Sequence, residues 1–176
     1  MKKTISLLIL LVLFAGQLHA SDDFSFFGDR LSSVRAKGRE QTVLRGNAGI
    51  VSSSTSIKAD YIEIFGDDNE FAECTGNVEV RDNEKGIFLK AGKLFFNRED
   101  DIIRAEGSAV MEDARNEVVA RGNFLEYRGK DEVCMIQIGV RIFKDEMVCR
   151  SEFAEYSRND EILRLSGMPV VYREDD

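Results

Sequence analysis

Histidine, tryptophan and proline are almost missing from this chain of 176 residues, which has one histidine, one proline and no tryptophan. The histidine, His19, lies in an N-terminal segment laid out like a secretory signal peptide. Lys2 and Lys3 come first, then an apolar run from Ile5 to Ala15, then Gln17-Leu18-His19-Ala20 with a small residue at the cleavage point. The apolar run falls well short of the roughly 20 residues a membrane-spanning helix needs. Residues 1–20 are therefore predicted to be a cleaved signal peptide, with an uncleaved inner-membrane anchor as the alternative. Without them the chain has no imidazole. That excludes histidine general bases, Ser-His-Asp and Cys-His nucleophile systems, and imidazole metal ligands.

Other scarcities narrow the field further. The formal net charge is −8, and about −10 once Lys2 and Lys3 are removed, so no nucleic-acid partner is expected: phosphate binding needs clustered Lys and Arg. No Gly-x-x-x-x-Gly-Lys motif provides a nucleotide site, and no Asp-x-Asp-x-Asp-Gly loop provides a calcium site. Adjacent carboxylates such as Asp67/Asp68 and Asp100/Asp101 cannot face each other across a sugar at the ~5–10 Å a glycosidase requires. Solvated turn tips are the reading for them, with no catalytic residue, metal or cofactor. Cysteines are three, Cys74, Cys134 and Cys149. Each occupies a slot that other parts of the chain fill with Ile, Leu or Ala, so buried thiols acting as small apolar groups are expected rather than a disulfide.

What is present is a repeat. Gly46, Gly76, Gly107 and Gly167 recur at intervals of 29 to 31 residues when Ile138 is counted in the one slot that breaks the series. Apolar residues follow two and four positions later, as in Val78/Val80 and Ala109/Met111, which is strand periodicity. Between these positions runs a second column of small residues, Ala59, Ala91, Gly122 and Ser151. Apolar residues stand two before each of them and three and five after, so the alternation changes parity there, the mark of a bulge or corner. Polar clusters such as Gly66-Asp67-Asp68-Asn69 and Arg158-Asn159-Asp160-Glu161 on one side, and Glu112-Asp113-Ala114-Arg115-Asn116 on the other, supply turns at regular spacing. No stretch beyond residue 20 shows helical periodicity. The prediction is an all-β domain over residues 21–172, with ten to fourteen strands built from ~30-residue two-strand units, rolled as a double sheet or solenoid. A short acidic tail, residues 173–176, follows. Phe24, Ser25, Phe26 and Phe27 are taken as the first strand. Pro169, which cannot donate to a ladder, marks the last strand as an edge.

In this register the chain resembles the OstA-like superfamily, and most of all its periplasmic lipopolysaccharide-transport protein A (LptA) family, over roughly Phe24 to Tyr172. Arg45-Gly46-Asn47-Ala48-Gly49-Ile50-Val51 and Thr75-Gly76-Asn77-Val78-Glu79-Val80 are similar to that family's "TGNV" strands. Ile57-Lys58-Ala59-Asp60-Tyr61-Ile62 and Leu89-Lys90-Ala91-Gly92-Lys93-Leu94 are similar to its "IxADxV" strands, and Gly122-Asn123-Phe124-Leu125-Glu126-Tyr127 adds to the resemblance. The resemblance implies a β-jellyroll, or β-taco, of two facing antiparallel sheets with an apolar groove that accepts lipid acyl chains. It also implies a periplasmic bridge carrying lipopolysaccharide or a related glycolipid. The partners would be homologous jellyroll domains of inner-membrane and outer-membrane transport proteins, joined by edge strands, with end-to-end self-association also possible. The chain departs from the pattern at Ile138 and in its short tail.

Two readings of the inward side chains stand side by side. Apolar alternation is what any packed β-sandwich shows; a groove requires facing sheets that do not fully interdigitate. On the second reading the lining set is Phe24, Phe26, Ile62, Ile64, Leu94, Phe96, Leu125, Tyr127 and Tyr156. Ile138 is counted with them as the place where the groove would narrow or bend. The alternatives are an anchored relative in the same transport pathway and a ligand-free structural solenoid.

Overall fold

The inward alternation builds antiparallel strands whose neighbours in sequence are neighbours in space. In the computed structural model, residues 25–36, 38 and 40–173 are described; the predicted signal peptide, Phe24 and residues 174–176 of the tail lie outside them. Among the described residues, the strands are β1 (Ser25–Phe27), β2 (Arg30–Val34), β3 (Gln41–Val51), β4 (Thr55–Phe65), β5 (Phe71–Asp82) and β6 (Ile87–Asn97). They continue with β7 (Ile102–Asp113), β8 (Val118–Arg128), β9 (Val133–Lys144), β10 (Met147–Ser157), β11 (Ile162–Ser166) and β12 (Val170–Arg173). All twelve form one unclosed sheet ordered β1-β3-β4 through to β11, with β2 also on β3 and β12 also on β10. The two edges are thus β1 with β2 and β11 with β12, each a strand broken in its middle. The only helical segment described is a 3-10 turn at Asp67–Asn69.

This single sheet is folded lengthwise. Ser157 in β10 pairs with Val133, Val133 with Arg128, and Arg128 with Ile102 at the start of β7. In a flat sheet Arg158 would lie roughly 35 Å along the strands from Asp113 at the far end of β7, at about 3.3 Å per residue. Its Nε is instead 2.7 Å from Asp113 Oδ2. The fold line runs through the interruptions of register between Arg45/Ala48, Lys58/Tyr61, Thr75/Val78, Lys90/Lys93, Glu106/Ala109, Arg121/Phe124 and Ser151/Phe153. Each long strand therefore gives one half to each of two facing walls, the two-walled jellyroll the sequence predicts.

The crease is built differently in alternate strands. Between its inward residues Ala59 and Ile62, β4 holds one residue more than alternation requires. Its neighbour β3 holds two more between Leu44 and Ala48, and that difference shifts the register by one. The extra pair in β3 is Gly46-Asn47, at φ +69° and +46°; the equivalents are Gly76-Asn77, Gly107-Ser108, Ile138-Gly139 and Gly167-Met168, all at positive φ. Left-handed backbone favours Gly and tolerates Asn, which accounts for the glycine column. Opposite stand carboxylates: Asn77 donates to Asp60 Oδ2 at 2.9 Å and Asn47 to Asp29 at 3.2 Å.

Ile138 fills a left-handed position with a β-branched side chain, at φ +65°, and is 59% exposed. It lies at the crease with little packing to lose. The left-handed well costs a non-glycine residue about 1–2 kcal/mol, and a new glycine returns about 0.5–1 kcal/mol through the unfolded chain. Ile138→Gly should therefore stabilise the protein by about 0.5–1 kcal/mol in urea denaturation, whereas Ile138→Val should give no gain.

The interior between the walls is one apolar cluster. Leu44, Ile62, Leu89, Leu94, Met111, Leu125, Ile136 and Ile142 are all essentially inaccessible. Cys74, Cys134 and Cys149 are free and buried in it, as their slots predicted. Burial pushes all three thiols up, Cys74 to about 12, so none is a nucleophile near neutral pH.

Candidate functional site

Opposite the crease, the two walls end in turns that form the mouth of the fold. Along half of this mouth the walls do not meet. A cavity of about 320 Å³ opens there between β1, β3, β4, β5 and β6. Its apolar lining comes from Phe26, Ile50, Ile57, Ile64, Ala72 and Phe96, and its rim from turn residues including Asp82, Glu84, Lys85, Arg98 and Asp101.

Towards the C-terminal half the mouth is fastened. Arg158, just after β10, reaches across to Asp113 at the end of β7, with Nε to Oδ2 at 2.7 Å and Nη2 to Oδ1 at 3.0 Å. Both side chains are essentially inaccessible, at 1% and 0% exposure. Nη2 also donates to the Lys85 carbonyl at 2.8 Å, and Nη1 to Glu132 Oε2 at 3.2 Å and Tyr127 Oη at 3.4 Å. Tyr156 Oη donates to Asp113 Oδ2, and Asn116 Nδ2 bridges Asp113 and the Arg158 carbonyl. Every hydrogen-bonding group of the pair is engaged, the condition under which a buried ion pair is tolerated. A second link, Lys85 Nζ to Asp101 Oδ2 at 2.9 Å, joins the walls at the boundary between clasp and cavity, with Lys85 5.7 Å from the Tyr127 ring centre.

Among solved structures, the chain is similar to LptH from Pseudomonas aeruginosa, described as the LptA homologous periplasmic component of a conserved lipopolysaccharide transport device. The identity is 12%, the TM-score 0.36, and 83% of each chain is covered. No protein-family model and no curated protein matches the chain.

The predicted lining residues divide into three groups. Phe26, Ile64 and Phe96 meet in the cavity. Ile62, Leu94 and Leu125 are sealed in solid core, while Tyr127 and Tyr156 are buried against the clasp. Ile138 stands exposed at the crease, where it borders a shallow surface hollow with Gly122 and Asn123 and not the cavity, because it takes up a left-handed backbone position rather than an inward slot. Phe24 lies outside the described residues. The sequence reading missed Arg158 and Asp113, which it placed among solvated turn tips. Among the described residues no three or more His, Cys, Asp or Glu are grouped to hold a metal, and no helix is long and apolar enough to cross a membrane.

The clasp responds to acid. Burial pushes the Asp113 carboxyl up, but the hydrogen bonds and charge of Arg158, aided by Asn116, outweigh it and hold the group below the usual aspartate range. A depressed folded value stabilises above the unfolded one, about 3.9, and that contribution disappears as pH falls through the folded value. The urea midpoint should therefore drop below about pH 4. Arg158→Met/Asp113→Leu, which carries no titrating pair, should show a smaller drop over the same range.

Proposed function

We propose that this chain is a periplasmic, non-enzymatic lipid carrier of outer-membrane assembly, holding acyl chains of lipopolysaccharide or a related glycolipid between its two walls. The observation that carries this reading is the open apolar cavity at a mouth whose other half is closed and fully packed. Burying methylenes there is worth about 0.8 kcal/mol per CH2, enough to hold a hydrocarbon chain out of water. The strand-motif resemblance to the periplasmic transport family supports it. So do the two sheet edges, where Leu31, Val34, Val170 and Val171 are exposed and a homologous jellyroll could add a strand. Directionality would come from an energy-consuming partner, this chain itself taking up and giving over lipid passively. The signal-peptide reading adds that the mature protein begins at or within a few residues of Ser21.

Protein purified from its own envelope, washed and examined by mass spectrometry, is expected to carry stoichiometric acylated glycolipid. A photoreactive residue at Phe96 should crosslink to it. Bare protein with no crosslink would leave the second reading, a ligand-free structural solenoid, for which the solid core of the C-terminal half speaks.

A further inference from the structure

We propose that the Arg158–Asp113 clasp ends the groove inside this chain, so that the cavity is a blind pocket for one acyl chain of an amphiphile with an uncharged headgroup. This rests on the lipid reading and narrows it to the related glycolipid, since lipopolysaccharide, with several acyl chains and phosphate groups, would not fit such a pocket. Three observations carry it.

The first is size. About 320 Å³ is at the lower end of the ~300–1,000 Å³ typical of pockets holding a single small ligand, which suits one hydrocarbon tail and not several.

The second is closure. A tail entering past Phe26 and Phe96 meets core residues such as Leu94 and Leu89, under 2% exposed. Sideways it meets the Lys85–Asp101 link and then the clasp. Sliding through to β11 would require breaking a buried, fully hydrogen-bonded ion pair.

The third is charge at the rim. Asp82, Glu84 and Asp101 share the rim with Lys85 and Arg98. Lys85 is bound to Asp101, and Arg98 donates to the Asp68 carbonyl at 2.7 Å, so both cations already serve the protein. Glu70 beside the cavity is held above the usual carboxylate range, first by partial desolvation and then by Glu99, Asp100 and Asp67. The local potential is negative, and a phosphorylated headgroup would be repelled.

The test uses lipid-stripped protein and two probes with the same 12-carbon tail, 1-monolauroylglycerol and dodecyl phosphate, below their micelle concentrations. Native mass spectrometry should count one monolauroylglycerol per chain. Dodecyl phosphate should bind at least tenfold more weakly at low salt, with the gap narrowing at high salt. Arg158→Ala/Asp113→Ala should raise the count to two. A photoreactive residue at Leu163, beyond the clasp, should give no crosslink to lipid in an otherwise unaltered chain. That last experiment stands even if the double variant fails to fold. Two or more tails on the unaltered protein, or a crosslink at Leu163, would overturn the stop, and equal or tighter binding of dodecyl phosphate would overturn the headgroup assignment. Binding of neither probe would fail the lipid reading itself, a result distinct from both.

Discussion

Arg158→Ala is expected to lower the unfolding free energy by about 3–5 kcal/mol, the usual consequence of stranding one member of a buried ion pair. The native protein has about 5–15 kcal/mol to lose, so the urea midpoint should fall sharply. The effect arises on both sides of the break. Asp113 would keep its hydrogen bonds from Asn116 and Tyr156 but lose the guanidinium paired with it, in a place where it is 0% exposed. Glu132 and the Lys85 carbonyl would lose the same donor. The loss is therefore larger than the worth of the pair itself. Arg158→Met/Asp113→Leu, which leaves no charge behind, should come out near neutral or more stable by about 1–4 kcal/mol. Arg104→Ala supplies the contrast. It breaks a 2.8 Å pair with Glu126 on the outer face, where the arginine is 49% exposed and Glu126 keeps Arg128 at 2.8 Å; a loss under about 1 kcal/mol is expected. If Arg158→Ala costs no more than Arg104→Ala, the walls are not held together by the clasp.

Why this clasp escaped the sequence reading, while the sheet did not, follows from what alternation encodes. Strand existence, inward faces and the buried cysteines follow from period two. Leu44, Ile62, Leu94 and Leu125 each sit where the parity puts them, because one wall face is dry. The crease was half legible. The single extra residue in β4 flips the parity and shows at Ala59, but the two extra residues in β3 restore it, so Gly46 looked like one more inward slot. Only the backbone reveals the left-handed pair, and Ile138 was misplaced for that reason. The clasp had a signal that charge concealed: Arg158 continues the inward series Ala154, Tyr156, and Asp113 continues Ala109, Met111. Reading those two as turn polarity assumed that a charge at a turn faces water. They face each other only because the fold brings opposite strand ends together, a contact between residues 45 apart that no local pattern specifies. The cavity was legible to the extent of Phe26, Ile64 and Phe96. Which half of the mouth stays open depends on the clasp, and so could not be read before it.

Phe96→Asp should weaken lipid binding by roughly 30- to 150-fold while leaving the protein folded. A phenylalanine ring presents about 150–250 Å² of surface. With about half of it turned to the ligand, the lost contact amounts to about 2–3 kcal/mol at 25 cal/mol per Å², which is that range in affinity. Asp82, Glu84 and Asp101 at the rim would push the new carboxyl up, but from an ordinary value about three units below neutral pH it should still ionise there and draw water into the pocket. Phe96 packs against the core but is only partly buried, so the fold should tolerate the change, as an unchanged far-ultraviolet circular dichroism spectrum would confirm. Phe88→Asp is the matched control. Phe88 is on the same strand, β6, on the outer face, with the Arg81 guanidinium 4.0 Å from its ring centre, and its loss should not alter the affinity for a 12-carbon tail. The comparison turns on the wall face alone, since both variants remove the same ring and add the same charge to one strand. Equal affinities in the two would mean that hydrocarbon is held somewhere other than between the walls, and the packed-core reading of the inward alternation would then hold for the whole length of the fold.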